Sequence, residues 1–119
     1  MDYDAFNAYC RSFPGAEYVV QWGGAHVWKV AGKVFAIGGW REEEPAITFK
    51  ATDIAFEMLP QQPGVRPAPY MASRGLKWLQ HYRAPGLTDA ELRGYIDQSY
   101  RLVVAGLSKK RQRALGSPL

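Results

Sequence analysis

A chain of 119 residues with 47% apolar side chains, including 4 Trp, 7 Tyr and 5 Phe, can bury one core without staples, so a single domain over 1–119 is expected. Its one cysteine, Cys10, excludes an internal disulfide and a cysteine-based zinc site; the acidic, polar start MDYDAFNAYC does not read as a secretion signal, and no run approaches the roughly 18 apolar residues of a membrane helix, so a cytoplasmic, bacterial protein is expected. The formal charge of +4 conceals a division, because residues 1–60 carry 5 Lys/Arg against 8 Asp/Glu and residues 61–119 carry 10 against 3, which points the second half towards an anionic partner.

Residues 2–12 predict a first helix. Asp2 or Asp4 can cap it, and Phe6, Tyr9, Cys10 and Phe13 recur at the three-and-four spacing of an apolar stripe before Pro14-Gly15 stops it. Cys10 on that stripe reads as a small core residue. Residues 17–22 predict an edge strand with Tyr18 and Val20 on one side, and Gly23-Gly24 turns the chain. Three runs rich in β-branched and aromatic residues follow, at 26–30, 33–37 and 46–49. Ala31-Gly32 is a two-residue hairpin gap, and the stretch 38–45, with Arg41-Glu42-Glu43-Glu44, is long enough for an exposed turn. In the third run Ile47 and Phe49 share one side and Thr48 and Lys50 the other.

Residues 52–60 predict a short helix capped by Thr52, with Ile54, Ala55, Met58 and Leu59 turned inward. Residues 61–76 read as an irregular loop stiffened by Pro63, Pro67 and Pro69. Residues 77–83 (KWLQHYR) alternate like a final strand. Residues 87–107 carry the strongest local signal: Thr88 and Glu91 form a capping box, and Leu92, Tyr95, Ile96, Ser99, Leu102, Val103 and Leu107 follow at helical spacing. From about 108 the chain is a basic tail expected to fray, part of which can prolong the helix. Segregated strands and helices give an α+β class, with an antiparallel sheet of about five strands covered by helices in two layers.

Chemistry is sparse. His26 and His81 lie far apart in two predicted strands, no serine sits in a glycine-flanked nucleophile turn, and neither Gly23-Gly24 nor Gly38-Gly39 has phosphate-loop spacing. Three consecutive glutamates do not converge on a metal by themselves. No enzyme, cofactor or metal is therefore expected. Basic residues interleaved with aromatics remain. Arg66, Arg74, Lys77 and Arg83 surround the proline-stiffened loop and final strand, and Lys109, Lys110, Arg111 and Arg113 follow the long helix. Such cations neutralise phosphates, and Tyr70 and Trp78 can stack on bases or else belong to the core. The alternative is a non-catalytic module that binds a protein or a small anion through the same loop.

Taken in order, Tyr9-Cys10, Phe13-Pro14-Gly15-Ala16-Glu17, Val34-Phe35-Ala36, Lys50, Val65-Arg66-Pro67-Ala68 with Tyr70, Lys77-Trp78, Tyr82, Leu87-Thr88-Asp89-Glu91-Leu92, Ser99-Tyr100, Val103-Val104 and Leu107-Lys110 resemble the MmcQ/YjbR family. The resemblance covers nearly the whole chain and rests on the order of the set. It implies a CyaY-like (frataxin-like) two-layer fold and DNA binding of a double-wing type. The acidic surface that true frataxins use for iron is not matched, since the first helix offers only Asp2 and Asp4.

Overall fold

A computed structural model describes residues 1–39, 46–69 and 71–116; the acidic turn at 41–45 and Tyr70 lie outside the described residues. Among the described residues the α-helices and strands follow in the order α1 (Tyr3–Arg11), β1 (Ala16–Gln21), β2 (Ala25–Val30), β3 (Lys33–Gly38), β4 (Ile47–Lys50), α2 (Asp53–Met58), β5 (Val65–Pro67), β6 (Trp78–His81), α3 (Asp89–Ala105) and α4 (Lys109–Ala114). The six strands form one antiparallel sheet in the order β1-β2-β3-β4-β6-β5. The fold is α+β, as the patterning predicts.

Local chemistry sets the boundaries. Asp2 accepts from the Ala5 amide at 2.7 Å to start α1, and Thr52 and Thr88 do the same for α2 and α3. Glu91 returns a bond to the Thr88 amide at 2.9 Å, completing the capping box. Ala31 and Gly32 both take positive φ, 49° and 77°, which suits the twist of a two-residue hairpin.

α1 and α3 pack on one side of the sheet. Phe6 and Cys10 from α1 meet Trp28, Phe35, Phe49 and Leu79 from the strands and Leu92, Ile96 and Tyr100 from α3. Fully burying side chains of this kind contributes about 1.5–3 kcal/mol each. A bulge raises the count. Trp28 pairs with Ala36 and Lys29 with Val34, which leaves Phe35 as an extra residue and turns both Phe35 and Ala36 to the helix side. Burial also pushes the Cys10 thiol far up, as expected of an inert core residue.

Four expectations change. The proline-bounded loop contains a sixth strand, β5, which occupies an edge and ends on Pro67, where a missing N–H is tolerated. Ile54 and Met58 of α2 are 74% and 59% exposed, so of the expected stripe Ala55 and Leu59, just past the helix, turn inward, with Phe56 packed partly against the core beside them. In α3, Leu102 is half-buried, while Tyr100 and Val104 are buried. Where a frayed tail is expected from about 108, Ser108 caps a separate helix, α4, and Leu115 behind it packs on Gly15.

The second side of the sheet is not open. Val19, Val27, Ile37, Thr48, Gln80 and Arg66 form one row across all six strands. Its first half is apolar: Val27 and Ile37 are buried with Ala25 under Met71 of the β5–β6 loop. Its second half is polar, with Thr48 and Gln80 fully buried and Arg66 partly so. Gln80 donates to Thr48 Oγ1 at 3.1 Å, and Arg66 donates to Gln80 Oε1 from Nε at 3.0 Å and from a terminal nitrogen at 2.7 Å. Buried polar groups without such partners would cost about 1–3 kcal/mol each.

Candidate functional site

The strands alternate in direction, so their ends sort the charged residues. At one end of the sheet β2 finishes, β3 begins at Lys33, β4 finishes at Lys50 and β6 begins just after Lys77. The C-terminal turn of α3 reaches the same end, and Lys33, Lys50 and Trp78 form a groove of about 370 Å³ with its Leu102 and Val103 and with Leu107 just beyond it. α4 is docked next to it. Arg111 and Leu115 line a second recess with Gly15, Glu17 and the β2–β3 hairpin. By strand position Lys29, Lys33, Lys50 and Lys77 stand at this end of the sheet, and α4, the helix that carries Lys109, Lys110, Arg111 and Arg113, is docked beside it through Arg111 and Leu115. Among the described residues, Glu17 and Asp53 are the carboxylates placed beside them; Asp53 pairs with Lys77 at 2.9 Å, with both side chains well exposed. An exposed pair of that kind holds Lys77 by about 1 kcal/mol or less.

The opposite end mixes carboxylates with two cations, the Met1 amine, 2.8 Å from Asp89, and Arg83 beyond the end of β6. Asp2 and Asp4 stand at the start of α1, and Asp89 and Glu91 at the start of α3. Helix dipoles account for part of this polarity, since carboxylates favour helix N-termini and cations C-termini. They do not account for all of it. Each helix C-terminus presents about half a negative charge, and two of them do not balance eight cations.

The fold divides the cations expected to act together. Lys77 and the four of α4 belong to the basic end. Arg66 sits mid-strand on β5, held by Gln80 and stacked 4.2 Å over the Tyr82 ring. Arg83 lies beyond the far end of β6, 5.3 Å from the same ring. Arg74 stands in the loop that crosses the second side of the sheet. Trp78 is only 8% exposed, so its ring is a groove wall rather than a platform for bases. Tyr70 lies outside the described residues. Lys29, Lys33 and Lys50 were missed because they sit in the acidic half of the sequence. The signal that could have found them is their position at strand ends, once the meander is drawn.

The histidines do not assemble a catalytic pair. His26 and His81 share a row, with Gly38 and Ile47 between them, so three strand spacings of about 4.8 Å separate them. His26 Nδ1 lies 2.8 Å from Tyr18 Oη and 3.4 Å from Asn7 Nδ2, between the rings of Tyr3 and Tyr18. Burial, and then the Met1 amine, lowers the His81 pKa. Among the described residues, no three of His, Cys, Asp and Glu cluster as a metal site, and no helix is long and apolar enough to cross a membrane.

Comparison with known proteins agrees with this architecture. A family model described as YjbR matches residues 11–102. An uncharacterised Escherichia coli O157:H7 protein, YbdF, is 33% identical over 89 residues, covering 73% of this chain and 70% of its own. The Deinococcus radiodurans protein DR2400 superposes with a TM-score of 0.84 at 19% identity, over 98% of this chain and 89% of its own. A Pseudomonas syringae protein gives 0.67 at 19% identity, over 86% and 98%. These two likenesses speak to the fold.

Proposed function

The chain belongs to the YjbR family, and from that premise we propose that it is a non-catalytic DNA-binding module that grips phosphates with the basic end of its sheet. One observation carries the reading: cations from β2, β3, β4, the β6 approach and α4, distant in sequence, collect at one end of the fold. Lys33 and Lys50 are carried on strands flanking a groove, so their backbones are already placed before a phosphate arrives. The α4 cations are exposed and act as point charges on any sequence. Arg66 and Arg83 serve the sheet through Gln80 and Tyr82 in this reading, and their loss weakens binding less than the loss of Lys33 and Lys50.

Fluorescence anisotropy with a labelled duplex and a labelled single strand, across a salt series, tests the proposal. The log–log salt slope should fall by about 0.9 for each duplex phosphate contact removed. A Lys33→Ala/Lys50→Ala variant and a Lys109→Ala/Lys110→Ala/Arg111→Ala/Arg113→Ala variant should each flatten the slope, while Arg66→Ala and Arg83→Ala leave it nearly unchanged. Absence of binding to either strand form at low salt refutes the nucleic-acid reading. Binding that is insensitive to salt refutes the phosphate contacts and favours a neutral ligand or protein partner.

A further inference from the structure

The groove at the basic end combines two chemistries. β3 and β4 bring Lys33 and Lys50 to it; the end of α3 brings Leu102, and Leu107 follows just beyond, with Val34 and Trp78 completing the apolar lining. No carboxylate lines it. Neither Lys33 nor Lys50 forms an ion pair among the described residues, whereas Lys77 is held by Asp53. Leu102 is half-buried, yet unlike Tyr95 and Leu107 it is not packed against the core. The corner behind it is fixed by backbone. The Gly106 and Leu107 amides donate to the Val103 and Val104 carbonyls at 3.1 and 2.9 Å, and Gln112 Nε2 donates to the Leu107 carbonyl at 3.0 Å.

We infer that this groove holds one unpaired nucleotide, so that the chain prefers single-stranded DNA, or the single-stranded end of a duplex, to a blunt duplex. The inference rests on the phosphate-binding reading above and adds the base to it. Two lysines without carboxylate partners call for an anion, and the apolar lining calls for an uncharged body attached to that anion. A bare phosphate leaves Leu102 and Leu107 unused. A paired duplex does the same, because its bases face one another and its backbone offers phosphate and sugar. A nucleotide freed from pairing carries both parts, a phosphate for the lysines and a base whose face loses water against the leucines. The helix orients it. The negative end of the α3 dipole opposes a phosphate on the helix side, so the phosphate belongs with Lys33 and Lys50 and the neutral base with Leu102. At about 370 Å³ the groove lies at the small end of the roughly 300–1,000 Å³ of ligand sites, room for one nucleotide-sized group. Contact with aliphatic side chains makes the site tolerant of base identity.

Fluorescence anisotropy of the intact chain with one labelled strand, its blunt duplex and the same duplex bearing a single-stranded overhang tests this. The strand and the overhang should bind at least about fivefold more tightly than the blunt duplex. Leu102→Ala removes apolar lining without touching a charge. It should weaken strand and overhang by about fivefold, leave the blunt duplex unchanged, and leave all three salt slopes unchanged, because the slope counts phosphate contacts. Leu102→Met, which keeps the apolar volume, should retain the preference. A merely structural role for Leu102 would lower all three affinities alike. Deoxyadenosine monophosphate should displace the strand only at concentrations far above the strand's own, because the strand also meets the α4 cations; decanoate should not displace it.

Equal affinity for the three DNA forms overturns the inference and leaves the phosphate reading in place. Absence of binding to every form at low salt ends both. Displacement by the mononucleotide at the strand's own concentration overturns the preference for a strand and assigns the groove to a free nucleotide. Displacement by decanoate and not by the mononucleotide overturns it as well, and assigns the groove to an acyl anion. The comparison of the three DNA forms uses the wild type alone, so it decides the matter even where Leu102→Ala loses stability.

Discussion

Ser99 is the residue whose removal best tests how the long helix holds the sheet. Its side chain is fully buried, and it is bonded twice. The register pairs Ala36 with Phe49, so the next rung would set Phe35 opposite Lys50. Instead the Lys50 amide donates to Ser99 Oγ at 2.8 Å, and Ser99 Oγ donates to the Phe35 carbonyl at 2.7 Å. The hydroxyl bridges a rung of the ladder where β4 ends and the β3 bulge disturbs the pairing. Ser99→Ala strands a buried donor and a buried acceptor together. At about 1–3 kcal/mol for each unsatisfied group, and with some relaxation, the loss should be about 2–4 kcal/mol. An unfolding entropy of about 2.1 cal/mol/K per residue gives about 4 °C per kcal/mol for a chain of this length, so Tm should fall by roughly 8–16 °C. Urea unfolding followed by tryptophan fluorescence measures the free energy, and amide exchange at Lys50 reports the local rung. Ser12→Ala, which removes an exposed hydroxyl bonded to the Tyr9 carbonyl, is the control and should stay within about 0.5 kcal/mol. A Tm for Ser99→Ala within a degree or two of wild type, with unchanged Lys50 exchange, would refute the bridging role.

Three further outcomes are expected from the fold. Gly64 has φ of +94°, and a Cβ there would stand 2.1 Å from the Arg83 carbonyl oxygen, so Gly64→Ala should destabilise by well over the roughly 1 kcal/mol of left-handed strain alone; a melting curve like wild type would show the two loops free to part. Ile96→Ala should cost about 2–5 kcal/mol, and Leu102→Ala, half-buried beside the Lys33–Lys50 groove, clearly less; equal losses in denaturant titration would contradict the burial assignment. His81 resists protonation when folded, because burial lowers its pKa from the ordinary 6.5, whereas the unfolded chain takes up the proton. Stability is therefore complete above about pH 6.5 and declines as pH falls below it. The wild-type Tm should drop more between about pH 7.5 and 5.5 than that of His81→Asn, and parallel slopes would remove His81 as the cause.

Elements with a local signature were legible in the sequence. The α3 capping box, the Asp2 and Thr52 caps, the Ala31-Gly32 hairpin and the alternation of Ile47 and Phe49 each depend on residues within a few positions of one another, and each stands where the pattern puts it. Propensity, capping and turn chemistry are short-range, so a single chain displays them. β5 was not legible. Val65–Pro67 is too short to show a period, and it is a strand because Gln80 and the edge of β6 stand beside it. The inward face of α2 was misread for a related reason: spacing gives a stripe, but only the neighbours decide how far along it the core extends.

The candidate site divides in the same way. Composition alone determined that the chain is basic and that its second half holds the surplus. It could not determine which cations stand together. Alternating strand direction brings Lys33 and Lys50, from the acidic half, to the end where Lys77 and α4 arrive, and leaves Arg66 and Arg83 bound up with Gln80 and Tyr82. Likewise Thr48, Gln80 and Ser99 look like ordinary polar residues until the sheet and α3 bury them and supply their partners. Charge and periodicity are properties of the chain and can be read along it, whereas proximity and desolvation are created by long-range pairing and belong to the tertiary structure.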